Sequence, residues 1–179
     1  MTIACLGWGS LIWRNEGLCC DQVWRPDGPM LPIEFARMSR GGEVTLVILE
    51  GVPPVPVLWS QMHIQSVAAA RENLRIREGR TKREWIGYWS METMEKFPCS
   101  DVIGTWAQSK GISGVVWTAL PSKWGAEVGK RPTLPEITNH LSDLPPEARA
   151  LARRYILEAS VQIATPFRPA LMAWARDTP

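Results

Sequence analysis

The sequence predicts an α+β fold, or a barrel-like mixed sheet with packed helices. Three observations carry that expectation. Two β-rich runs, "LPIEFARMSR" and "EVTLVILE", flank Gly41-Gly42 and read as an antiparallel hairpin. Several stretches carry helix caps and helix-compatible spacing. Strands and helices do not alternate in the regular way that builds a parallel βαβ sheet.

The elements follow in chain order. Residues 2–7 read as a short buried strand ending at Gly7, and 14–30, with "RPDGP", as a loop with turn chemistry. In the first hairpin arm, alternation places Ile33, Phe35, Arg37 and Ser39 on one face, an unusual setting for a guanidinium. The Pro-rich "GVPPVPV" connects to a strand at "VLWSQMHI". Residues 65–77 predict a helix with Ser66 as cap and Gly79 beyond its end. "EWIGYWS" predicts a strand, 100–110 a helix with Ser100 ahead and Gly111 behind, and "SGVVWTAL" a further strand. Thr133 to Glu136 has capping-box form and opens a short helix to about His140. Pro145 and Pro146 open a longer amphipathic helix to about Gln162, with Leu151, Tyr155, Ile156, Ala159 and Ile163 on one stripe. The tail from Thr165 reads as irregular or briefly helical.

Composition narrows the classes. A chain of 179 residues with 45% hydrophobic and 21% charged residues predicts one globular domain spanning 1–179. A net charge of +2 gives no whole-protein field for nucleic acid. The apolar runs fall short of the ~20 residues of a membrane span, and no basic region precedes the first strand, so a cytoplasmic protein without signal peptide is expected. Cys5, Cys19, Cys20 and Cys99 form no C-x-x-C pair, and His63 and His140 are far apart, which argues against a metal site and for buried free thiols. The ten tryptophans are expected mostly in the core, with a minority lining a pocket.

Two stretches carry candidate chemistry. "LGWGSL" places two glycines and Ser10 directly after a strand, where successive N–H groups form an anion-binding nest or a plain structural turn. It fits neither nucleotide-binding glycine motif nor the hydrolase elbow. "IREGR" places Glu78 at the end of a helix, as a cleft residue or, with Glu72 and Glu84, as one of several solvated surface charges. The basic run "RIREGRTKREW" with Trp85 and Trp89 has the makings of an RNA or protein patch, but its three glutamates interrupt it.

A first strand leading into G-W-G-S-L, then "FARMSR" before "TLVIL", then a helix ending in "REG" followed by "IGYW", resembles the γ-glutamylcyclotransferase-like family over roughly residues 3 to 120. The resemblance implies a barrel-like sheet with surrounding helices and one pocket. It implies cyclisation of a γ-glutamyl amine or peptide to 5-oxoproline with release of the amine, needing no cofactor and no metal. The glycine–serine loop (Gly7, Trp8, Gly9, Ser10 and Leu11) would hold the α-amino and α-carboxylate end of the substrate, and Glu78 would be the acid/base. Arg37 would hold a carboxylate or pair with an internal acid. Trp8 stands where the family usually has tyrosine. The implied partner is a small γ-glutamyl molecule, not nucleic acid or membrane; the alternatives are a non-catalytic binding module on the same fold and a Trp-rich interaction protein.

Overall fold

The computed structural model describes residues 1–92 and 95–177; the last two residues of the expected tail lie outside them. The strands are β1 (Ile3–Gly7), β2 (Met30–Leu31), β3 (Ile33–Met38), β4 (Val44–Ile48), β5 (Val55–Pro56), β6 (Leu58–Met62), β7 (Ile86–Ser90), β8 (Gly114–Thr118), β9 (Lys123–Trp124) and β10 (Glu127–Val128). The helices are α1 (Val67–Arg77), between β6 and β7; α2 (Ser100–Ser109), between β7 and β8; and α3 (Leu134–Asp143), α4 (Pro146–Glu158) and α5 (Arg168–Asp177), which follow β10. The fold is α+β. The chain divides into two compact units, Met1–Leu31 with Pro56–Leu120, and Pro32–Val55 with Pro121–Pro179.

The first unit is built on a four-stranded sheet in the order β6-β1-β8-β7. β1 runs antiparallel to β6 and parallel to β8, and β7 is antiparallel to β8. With β6 and β7 at its two ends and not paired to each other the sheet is open, so the barrel expected from the sequence is not closed among the described residues. β1 is buried along its whole length, as a central strand covered on both faces must be. The stretch 14–30 is not wholly loop: bridges pair Cys20 with Met62 and Arg25 with Trp59 and lay it along β6.

α1 begins where Ser66 Oγ accepts the Ala69 N–H at 3.2 Å, the expected cap. It buries Ala70 and Leu74 against Ile3, Cys5, Ile86 and Val116; burying a side chain the size of Leu74 contributes roughly 1.5–3 kcal/mol. Arg71 lies on the same face. Its Nε donates to Ile86 O and its Nη2 to Arg83 O, both at 2.8 Å, and its guanidinium sits 4.4 Å from the Tyr88 ring centroid. In α2 the cap is Cys99, at φ 65°, and not Ser100, which is already helical and exchanges hydrogen bonds with Phe97.

The second unit carries the sheet β10-β9-β3-β4 and three helices. The β3–β4 hairpin forms as predicted, but its register shifts between Phe35 and Arg37. One extra residue in β3 resets the alternation, so Arg37 does not share the face of Ile33 and Phe35. Glu34 and Ala36 are fully buried as well, so β3 is covered on both sides. The Thr133–Glu136 capping box is present, and α3 runs on to Asp143. α4 ends at Glu158; Tyr155 and Ile156 are buried as expected, whereas Leu151 is exposed. The tail forms the ten-residue helix α5.

Two composition-based expectations are corrected. Only Trp8 and Trp117 are buried outright, and the other eight tryptophans are half-buried. An indole is large, and its N–H favours a rim where it finds an acceptor, as Trp59 and Trp106 do on Asp27. Of the thiols, Cys5 and Cys20 are buried, Cys99 is half-buried and Cys19 is exposed.

Candidate functional site

The turn after β1 starts from a paired strand end, since Gly7 stands opposite Leu58. A Cβ on Gly7 would lie 2.5 Å from Trp24 Cζ3, so the glycine there makes room for an indole. Beyond it the chain enters a tight helical turn, with Ile12 N donating to Gly9 O at 3.1 Å and Arg14 N to Ser10 O at 2.7 Å. The opening N–H groups of such a turn have no internal acceptor. Those of Gly9, Ser10 and Leu11 meet none among the described residues. Trp8 and Leu11 send their side chains into the core, and Ser10 is half-exposed. The turn therefore offers backbone donors and one hydroxyl, the groups that suit a carboxylate or a developing oxyanion.

Glu78 caps the C-terminal end of α1. Its N–H donates to Leu74 O at 2.9 Å, and Gly79, at φ +72°, ends the helix in the left-handed region that glycine adopts without strain. The three sequence candidates separate clearly. The side chains of Glu72 and Glu84 are 49% and 66% exposed and pair with Arg75 and Lys82, while that of Glu78 is 18% exposed.

Arg77 links Glu78 to the turn. Its Nη1 is hydrogen-bonded to Glu78 Oε1, and its Nη2 reaches Arg14 O and, at 3.4 Å, Ser10 O. Cys5 in the middle of β1 feels this site. Burial first, then Cys20 and Glu78, push its thiol far above the ordinary range, against an opposing effect of Arg77. Ser10 of the loop and Glu78 are thus linked through Arg77 within one unit.

No family model, curated protein or solved structure matches this chain. Backbone donors and a shielded carboxylate suit a ligand that carries both an anionic and a cationic group. Among the described residues no cluster of three or more His, Cys, Asp or Glu is placed to hold a metal ion, and no helix is long and apolar enough to cross a membrane.

Arg37 belongs to the second unit. There its Nη1 donates to Pro121 O at 2.7 Å, and burial holds its guanidinium below the ordinary arginine value. That bond ties β3 to the segment entering β9. In the basic run, Lys82 sits 5.1 Å from the Trp85 ring centroid and also pairs with Glu84. Arg77 and Trp24 join the site through tertiary contacts: the one local signal of Arg77 is its place next to Glu78 at a helix end, and Trp24 carries none.

Proposed function

We propose that the chain cyclises a γ-glutamyl amine or peptide to 5-oxoproline. The observation that carries this reading is that a shielded carboxylate, Glu78, is tied through Arg77 to the Ser10 carbonyl, in the turn whose Gly9–Leu11 N–H groups meet no acceptor among the described residues. The turn would bind the substrate α-carboxylate, and Glu78 would face its α-ammonium. Glu78 takes a proton from the ammonium, and the freed amine attacks the γ-carbonyl of the same molecule, forming a C–N bond and closing a five-membered ring. The tetrahedral intermediate then loses the surplus proton of its ring nitrogen to solvent and breaks its bond to the original amide nitrogen, which leaves as an amine carrying the proton returned by Glu78. Because nucleophile and electrophile belong to one molecule, holding it folded is worth several kcal/mol, roughly the range of well-oriented intramolecular reactions. Proton transfer by a positioned carboxylate contributes typically about 10²–10⁴-fold.

One observation favours a second reading, a binding module without turnover: the buried Trp8 brings no phenolic hydroxyl to the loop. The test is 5-oxoproline release from a panel of γ-glutamyl amino acids, γ-glutamylamines and glutathione, by the wild type and by Glu78→Gln. Release by the wild type alone is the expected result. Equal release by both removes Glu78 from the chemistry. Binding of panel members without release by either selects the binding module.

A further inference from the structure

Glu78 and Arg77 are neighbours in sequence, and neighbours on a helix do not face each other. They meet here at the C-terminal end of α1, where Glu78 (φ −77°, ψ 24°) is the cap residue. The Arg77 side chain is 11% exposed, so the pair is made away from bulk water. Its guanidinium is forked between two tasks. One nitrogen holds Glu78 Oε1, and the other spans the carbonyl oxygens of Ser10 and Arg14, more than sixty residues away in the chain. Glu78 Oε2 meets no donor among the described residues. A carboxylate with one oxygen held and the other open has its orientation fixed and keeps one oxygen for a ligand.

We infer that Arg77 is the positioning residue of this site: it sets the Glu78 carboxylate against the Ser10 turn and leaves Oε2 to the ligand's cationic group. The inference rests on the proposed site for its functional meaning, but its geometry can be tested without turnover. A planar guanidinium can serve the carboxylate and the carbonyls at once; a lysine ammonium is a point charge that serves them less well, and a glutamine amide brings no charge.

The experiment compares the full chain as wild type, Arg77→Lys and Arg77→Gln by the carbon-13 resonance of the Glu78 carboxyl, amide hydrogen exchange, and 5-oxoproline release. The Glu78 resonance is expected to move in Arg77→Gln and to return part of the way in Arg77→Lys. Exchange at the Ile12 and Arg14 amides should quicken by roughly tenfold in Arg77→Gln, as for loss of a charge-assisted bond in a locally opening segment, while amides of β8 keep their protection. In a chain that turns over, kcat falls in Arg77→Gln by a larger factor than KM rises, and Arg77→Lys recovers part of it. An unmoved Glu78 resonance with unchanged exchange at Ile12 and Arg14 overturns the inference. So does an acceleration spread equally through β8, which marks general destabilisation. Absence of 5-oxoproline release by the wild type removes the cyclisation reading alone; the resonance and the exchange still decide the role of Arg77.

Discussion

Trp117 lies directly over Gly87 of the neighbouring strand. The two are register partners in the β7–β8 ladder, and a Cβ on Gly87 would come within 2.3 Å of Trp117 Cε2. Trp117 is fully buried and also meets Phe97 edge-on, with ring centroids 6.0 Å apart, so the indole has nowhere to retreat. Gly87→Ala is therefore expected to destabilise the protein by about 1–3 kcal/mol, the usual cost of overpacking a filled core. Urea unfolding measures it, and an unchanged midpoint would show that the ring can shift.

Gly104 gives a sharper version of the same test because the sign reverses. A glycine inside a helix normally gains about 1 kcal/mol on replacement by alanine. At Gly104, in α2, the new Cβ would lie 2.4 Å from Trp89 Nε1. Gly104→Ala should lower the melting temperature. A raised one would mean that Trp89 yields at little cost.

Thiol chemistry should rank by burial. Cys19 is exposed, whereas burial drives the Cys5 thiol far from its thiolate form. With a maleimide at neutral pH, mass mapping should find Cys19 modified first, Cys99 more slowly, and Cys5 and Cys20 only after unfolding. Early labelling of Cys5 would contradict the packing of β1.

Two carboxylates should shape the pH dependence of stability in opposite directions. Partial burial pushes Asp21 up, but hydrogen bonds from Arg25 Nη2 (2.6 Å), Ser60 Oγ (2.7 Å) and Val23 N (3.1 Å) outweigh it and hold the carboxyl at about 2, below its ordinary 3.8. A depressed value means that the folded state favours the ionised form. The stability due to Asp21 is complete above pH 3.8 and drains away as the pH falls toward 2. Asp21→Asn should lose stability at pH 6 and differ progressively less from the wild type on acidification, as followed by denaturant unfolding.

Glu34 works the other way. It is fully buried in β3 and accepts N–H bonds from Phe35 at 2.8 Å and Phe167 at 3.0 Å. Burial raises its carboxyl above the ordinary 4.5, so the folded state holds the proton more tightly than the unfolded chain does. Its contribution is fully present below pH 4.5 and is lost as the pH rises through the elevated value. The stability difference between wild type and Glu34→Gln should shift against the wild type between pH 4 and pH 8. A difference independent of pH would mean that Glu34 titrates alike in both states.

The sequence by itself determined what depends on neighbours a few residues apart. The caps at Ser66 and Thr133, the Gly41-Gly42 hairpin, the helix stop at Gly79 and most strand positions all follow from local hydrogen bonding and backbone freedom, and they give the α+β class. The placement of Gly9–Leu11 after β1 and of Glu78 at a helix end was legible for the same reason. Tertiary structure alone decided which of three glutamates is shielded, because the exposure of Glu72, Glu78 and Glu84 depends on what the rest of the unit lays over the end of α1. It decided that Arg77 reaches Ser10 across 67 positions, that Trp24 and Trp117 occupy the space glycines leave, and that a bulge turns Arg37 away from the face of Phe35. Contacts of that kind are set by the packing of distant segments, and a linear pattern of residue types carries no register between segments that are not neighbours.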